Sequence, residues 1–415
     1  MDMKEAFLNR VTAHIRSKEA KKVVRLELYQ HMRELSSLWE EEGMTKEEAE
    51  KKTIEQMGSP AQIGKKMNKL HRPIIDWFAL LTMISLIALS FLTPILFTKV
   101  SSSDMLKMHS IGVSISVCIV GLLMFFNYEK LKNKGLFFYI AGCAFLLYMH
   151  FFGTIKGSRT FVSIGPVFSS AYITFPLFLL SWASFTVRNR MSFLASSFLL
   201  VFPFFMFIQM GYYGPSLLYV LLALCLTGAG KWNRKGSHLS IWFVVLILSA
   251  YAASLLRGTT LSKVIDLWRE KPYQLFSESF YLLSRAGWFG NGVLPSTVEL
   301  NTKYYVDLIF VPLTYMYGWL FSLFLLFLMS FLLFRMYRTF IGTREPFGRA
   351  LTLGVILLYG VTCVWGLLMG MGKVPFLNVS VPFVSYGVIS FMINASFIGF
   401  VLSVYRWKNI NSLKE

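Results

Sequence analysis

The sequence predicts an all-α, polytopic membrane protein: about ten transmembrane helices plus a small soluble N-terminal helical domain. Three observations carry that reading. Of 415 residues, 55% are hydrophobic and 15% charged, with a mean hydropathy of +0.55, a balance suited to a chain whose apolar surface meets lipid rather than water. From Ile75 onward, apolar runs alternate with short polar loops. The net charge of +19 is concentrated in alternate loops, as membrane orientation by positive charge requires.

Residues 1 to 73 form the first unit. They hold 15 Lys/Arg against 12 Asp/Glu, whereas the remainder holds 26 against 10. Val24, Leu28, Met32, Leu35 and Trp39 recur at near-helical spacing and predict one amphipathic helix. "TKEE", Thr45 to Glu48, is a capping box, in which hydroxyl and carboxylate each satisfy a free amide at the helix start. Gly58 ends that helix, and Ser59-Pro60 provide an N-cap and a first-turn proline for the next. Three or four short helices with charge toward water result, which read as a soluble cytoplasmic appendage.

Residues 74 to 408 form the membrane domain, with spans expected near 75–97, 108–127, 136–153, 167–187, 192–208, 213–229, 239–256, 305–334, 350–371 and 382–405. Each is long enough for ~30 Å of hydrocarbon, the shortest with interfacial flanks. Ten spans leave both termini on one side. Loops on that side carry Lys130, Lys132 and Lys134, then Arg188 and Arg190, and later Arg335, Arg338, Arg344 and Arg349. The positive-inside rule makes that side the cytoplasm. Topology thus accounts for the basicity, and nucleic acid is not an expected partner. The large loop 257–304 falls on the outer face, and a connection of that length is more often functional than idle.

Several chemistries are disfavoured. The chain has neither a Walker loop nor an HExxH zinc helix. Cys118, Cys143, Cys225 and Cys363 sit inside apolar runs without metal-ligand spacing, and the six histidines are scattered. No metal site is evident, although a divalent cation is admissible as cofactor. Ionisable side chains are nearly absent from the spans, against a proton relay or ion pump. Asp307, at the mouth of a span, is therefore conspicuous. Burying such a charge in lipid costs roughly 2.5–3.5 kcal/mol.

The last span opens "VPFVSYGVISFMINASFIGF", Val381 to Phe400, which is similar to the "LPFxSYGGSS…N…IG" signature of the SEDS proteins. That bacterial family includes RodA, FtsW and SpoVE. Other segments follow in family order. "GSRTFVSIG", Gly157 to Gly165, resembles "GARRWIxLG"; "AGWFGNG", Ala286 to Gly292, resembles the end of the outer-loop motif; "YVDLIF", Tyr305 to Phe310, resembles "HTDFIF"; and Pro375 matches the proline before the signature. The resemblance covers roughly residues 75–405 and implies a peptidoglycan glycosyltransferase of the bacterial cell membrane. Such a protein polymerises lipid II on the outer face, beside a class B penicillin-binding protein, in elongation, division or sporulation.

On that resemblance Asp307 falls at the family's essential aspartate, a general base for the attacking sugar hydroxyl. Arg159 falls on a family arginine and is expected to stabilise the departing diphosphate. Arg285 and Lys303 are further substrate-binding candidates from their outer-loop positions. Ser385 and Tyr386 match the signature and are expected to shape the cavity. Three family acids are replaced: the "QPSExxK" stretch reads "VFSSAYITF", "QPDxG" reads "QMGYYG" (Gln209 to Gly214), and "EELG" reads "YMYG" (Tyr315 to Gly318). These losses keep a non-catalytic scaffold for a lipid-linked precursor or a wall synthase as an alternative, with a lipid flippase behind it. The N-terminal segment resembles small helical modules prefixed to permeases and membrane regulators, which implies that residues 1–73 are a cytoplasmic domain that interacts with a protein partner or senses a signal.

Overall fold

A computed structural model describes residues 3–97, 104–156, 159–164, 167–188, 193–229, 272–293, 295, 308–371 and 381–411. The expected span 239–256, most of the loop 257–304, Lys303 and Asp307 lie outside the described residues. The chain divides into two compact units: Met1–Asp76 with Gly342–Glu345 and Val404–Glu415, and Trp77–Ile341 with Pro346–Ser403.

The first unit begins with α1 (Met3–Ala13), α2 (Lys18–Glu41), α3 (Lys46–Met57) and α4 (Pro60–Leu70). α1 packs against the other three, and Phe7, Leu8, Val11, Val24, Leu28 and Met32 fill the centre. The expected stripe on α2 is thus buried over its first three members, while Leu35 and Trp39 stay half-buried. Lys52 covers Trp39, its ammonium 3.7 Å from the ring centroid. Both bonds of the capping box form: the Glu48 amide donates to Thr45 Oγ1, and the Thr45 amide to the Glu48 carboxylate. Ser59 occupies the N-cap of α4, but its side chain makes no capping bond. His71 Nδ1 donates to the carbonyl of Asn409 at 2.9 Å, tying the end of α4 to the end of the last helix within this unit.

The second unit contains α5 (Trp77–Ser90), α6 (Leu92–Phe97), α7 (Asp104–Phe125), α8 (Gly135–Phe152), α9 (Phe175–Arg188), α10 (Phe193–Gln209) and α11 (Tyr213–Ala229). They are followed by α12 (Pro272–Arg285), which falls within the long loop 257–304, and then by α13 (Phe310–Ile341), α14 (Pro346–Gly370) and α15 (Val388–Asn411), whose residues from Val404 on belong to the first unit. Among the described residues, six helical stretches are long and apolar enough to cross a membrane, and three shorter apolar helices accompany them. The chain is a multi-pass membrane protein.

α9 is the hub, packed against α8, α11 and α14. Its Phe175, Phe178, Leu179, Trp182 and Ala183, at i, i+3, i+4, i+7 and i+8, are all buried. The indole of Trp182 donates to the Tyr219 hydroxyl at 3.1 Å, which donates in turn to the Leu199 carbonyl at 2.6 Å. Three helices are thereby tied through polar atoms that lipid could not satisfy.

The structure departs from the sequence expectation in four places. The first span breaks into α5 and α6, because Pro94 has no N–H for the carbonyl four residues back. Residues 154–169 form a three-stranded antiparallel sheet, β1 (Thr154–Lys156), β2 (Arg159–Ile164) and β3 (Val167–Ser169), in order β1-β2-β3. The expected span at 167 consequently starts its α-helix only at Phe175, after a 3-10 turn. α13 is interrupted at Gly318, whose φ of 87° and ψ of 172° are non-helical.

Candidate functional site

Arg159 opens β2, paired with Lys156 across the hairpin. The strand is docked onto the α10–α11 turn: the Thr160 amide donates to the Met210 carbonyl at 3.2 Å, and the Tyr212 hydroxyl donates to the Thr160 carbonyl at 2.6 Å. Phe161 meets Tyr212 edge-to-face, with ring centroids 6.2 Å apart. Burial pushes the Tyr212 phenol up to about 12, and the nearby Arg159 guanidinium acts in the opposite sense. Tyr212 therefore stays a neutral donor, locked to the backbone beside a cation. It stands in the stretch where the family motif carries an acid.

A second feature joins the loop 257–304 to α13. Gly287, Gly290 and Gly292 all adopt positive φ, folding residues 286–292 into a turn that lies against the break at Gly318. The amides of Asn291 and Gly292 donate to the carbonyls of Tyr315 and Met316, and the amides of Trp319 and Leu320 donate to the carbonyls of Gly287 and Trp288. Asn291 Nδ2 also donates to the Arg285 carbonyl at 2.8 Å. The helical ladder that Gly318 opens is thus closed by another segment, as a low-dielectric setting demands. A Cβ on Gly290 would collide with the Met316 carbonyl, and one on Gly318 with the Trp288 carbonyl. Arg285, at the end of α12, is exposed and stacks over the Tyr281 ring, 4.8 Å from its centroid.

The third feature surrounds the signature stretch. Ser385 is buried and donates to the Val381 carbonyl at 2.9 Å. Tyr386 is half-buried. It stacks on His109 of α7, with centroids 5.9 Å apart and planes inclined by 15°. Phe91 and Phe391 meet the same imidazole edge-on at 4.9 and 5.0 Å. Ser90 donates to the Ile87 carbonyl at 2.6 Å, so its oxygen accepts from His109 Nε2–H at 2.9 Å. That makes Nε2 the donor nitrogen and leaves Nδ1 buried with no partner among the described residues. Thr93 donates to the Val384 carbonyl at 2.8 Å. Phe383 is held at a φ of 59°, a strained conformation for a non-glycine residue that its packing must maintain. Ser390 accepts from Asn394 Nδ2 through its carbonyl at 2.8 Å.

Of the expected site residues, Ser385 and Tyr386 thus share one buried polar cluster with Ser90, Thr93, His109, Ser390 and Asn394, while Arg159 and Arg285 stand on other elements. His109 counted only as one of six scattered histidines in the sequence. Its position within an apolar run was the available signal. Among the described residues, no group of three or more His, Cys, Asp or Glu could hold a metal ion.

Fold and site together define a polytopic α-helical membrane protein in which the turn at 286–292 is sealed onto a broken span and the last span begins at a buried polar cluster. The family model described as "Cell cycle protein", covering FtsW, RodA and SpoVE, matches residues 70–410. The chain belongs to that family, the SEDS proteins. It is 25% identical over 167 residues to the probable peptidoglycan glycosyltransferase FtsW of Thioalkalivibrio sp. (strain K90mix), a match that takes in 38% of this chain and 42% of that protein. The chain therefore aligns with less than half of that relative's length. Its fold is similar to a chain in a peptidoglycan synthase complex studied for the coordination of polymerization and crosslinking, with a TM-score of 0.65, 18% identity and coverage of 80% of this chain and 98% of that one. It is also similar to the rod shape determining protein RodA of Thermus thermophilus, with a TM-score of 0.58, 17% identity and coverage of 80% and 97%.

Proposed function

We propose that this protein is a peptidoglycan glycosyltransferase that polymerises lipid II at the outer face of the cytoplasmic membrane, with both termini in the cytoplasm. The observation that carries the reading is the retained aspartate of "YVDLIF" within a family match spanning residues 70–410. Asp307 would accept the proton of a sugar hydroxyl as that oxygen bonds to the anomeric carbon of the second substrate. The anomeric C–O bond to the diphosphate breaks in the same reaction, and the undecaprenyl diphosphate leaves. A positioned base of this kind contributes ~10²–10⁴-fold. The leaving group is already a stable anion, so cations rather than a second acid assist its departure. Arg159 is the first of these, with Lys303 and Arg285 as further candidates. The stacking of Arg285 on Tyr281 and its exposure support a peripheral role for it. Ser385 and Tyr386 contribute shape to the cavity and do not react.

In this reading a class B penicillin-binding protein crosslinks the glycan made here, and residues 1–73 receive a cytoplasmic protein partner. The test is polymerisation of lipid II by purified full-length protein, native beside Asp307→Asn. The native protein is expected to make polymer and the variant to lose at least ~10²-fold in rate. Equal rates would remove Asp307 from the chemistry.

A second reading, a non-catalytic scaffold that binds the lipid-linked precursor, is favoured by Tyr212. A neutral phenol committed to the Thr160 carbonyl cannot do the work of a carboxylate. Absence of polymer from a folded, lipid II-binding native protein would select this reading.

A further inference from the structure

Two of the largest apolar side chains in the second unit are held in the open at the tip of the outer-loop turn. Trp288 is 67% and Phe289 84% exposed. The turn that carries them has three positive-φ glycines and four backbone hydrogen bonds to α13. A segment so tightly fastened presents its aromatic pair by construction, and exposed aromatic surface of this kind marks an interaction site.

The surface it adjoins names the occupant. The Leu320 amide donates to the Trp288 carbonyl at 3.2 Å. Leu320 itself heads an exposed stripe, Leu320, Leu323, Phe324 and Phe327, running down a helix apolar enough to span a membrane. The i, i+3, i+4, i+7 spacing makes that stripe one face, and the backbone bond from Leu320 to Trp288 joins the aromatic tip to its head.

Depth agrees with this continuity. At ~1.5 Å per residue, the stretch of α13 from Leu320 to Arg338 covers about 27 Å, close to the ~30 Å of bilayer hydrocarbon. When Arg338 sits at one headgroup boundary, Leu320 and the neighbouring Trp288 sit at the other. Trp is enriched at that level because its ring is amphipathic. Preceding the turn, α12 adds exposed Phe280 and Tyr281, with Arg285 over the Tyr281 ring, a pairing of aromatic body and cationic head that suits the same boundary.

We infer that Trp288 and Phe289, with Phe280 and Tyr281 of α12, form an anchor embedded in the outer-leaflet interface of the phospholipid bilayer. The anchor fixes the height of the outer loop against the lipid surface, and it stands independently of the chemistry proposed for Asp307.

The test uses full-length protein in vesicles of phosphatidylcholine and phosphatidylglycerol whose chains are unlabelled, brominated near the carbonyl end, or brominated near the methyl end. Subtracting the emission of Trp288→Phe from that of the native protein isolates Trp288, and the phenylalanine keeps an aromatic ring in place. Quenching of the difference signal by about half from the carbonyl-end bromines, and little from the methyl-end ones, is the result expected of an interfacial residue. A difference signal untouched by either label, or quenched mainly by the methyl-end label, overturns the inference. In parallel, a diazirine-bearing amino acid at position 289 is photolysed in intact cell membranes. Phospholipid adducts support the anchor; an adduct formed mainly with another protein overturns it in favour of a protein-docking surface.

Discussion

Tyr212 carries more structural weight than its neighbours. Its hydroxyl reaches the Thr160 carbonyl, its ring meets Phe161, and its position fixes the strand that bears Arg159. Replacing it with phenylalanine removes one short hydrogen bond and leaves the Thr160 carbonyl without that donor, a loss of about 1–3 kcal/mol. Tyr212→Phe is therefore expected to lower the thermal midpoint of the purified protein, by a shift that scanning fluorimetry in detergent resolves. An unchanged midpoint would show that water substitutes for the hydroxyl and that the turn lies open. His109 presents the contrast. Its chemistry was hidden because its partners, Ser90 nineteen residues earlier and Tyr386 far later, become neighbours only when three helices meet. The aspartate in "YVDLIF" could be read directly, since a carboxylate beside an apolar run is anomalous on its face.

Among elements, the spans were the most legible because hydropathy is additive along the chain. α11 (Tyr213–Ala229) coincides with its expected range, and α7, α10 and α14 fall within a few residues of theirs. What hydropathy does not register is a change of backbone direction inside an apolar run. The break at Gly318 lies in such a run, and so does the sheet at 154–169, where Val167 and Phe168 look as apolar in a strand as in a helix. The glycines of "AGWFGNG" suit a tight turn, but its partner at 315–320 is set by tertiary hydrogen bonds. Gly318→Ala puts a methyl group against the Trp288 carbonyl at a backbone angle that alanine resists. The strain alone is about 1–3 kcal/mol, and the collision adds to it. Faster trypsin cleavage of the outer loop after Arg285 is the expected consequence; a cleavage rate equal to native would show that the seam absorbs the substitution.

For the whole molecule, the excess of Lys and Arg in alternate loops does not reveal a ligand but an orientation. A reporter that fluoresces only in the cytoplasm, fused after Glu415, is expected to be bright, and a periplasmic-type phosphatase at the same point inactive. The reverse pattern would invert the assignment of the outer loop and remove Asp307 from the face where the proposed polymer grows. The grouping of Val404–Glu415 with the N-terminal helices also brings the two chain ends into one compact unit, an association that charge patterns and hydropathy do not encode. It rests instead on contacts such as His71 to the Asn409 carbonyl.

The seam between the glycine turn and the broken span also has an order in time. A ribosome makes residues 286–292 before it makes residues 315–320, so the donors and acceptors that close the gap exist before the gap does. A helix emerging with open carbonyls at Tyr315 and Met316 would be penalised in lipid at the moment of insertion. Here the sealing segment has already been synthesised when the defect arrives, and the span can settle directly onto it. Transposing the turn to a later point in the chain would keep every contact of the finished protein and still leave the nascent helix, for the interval of its own synthesis, without a partner.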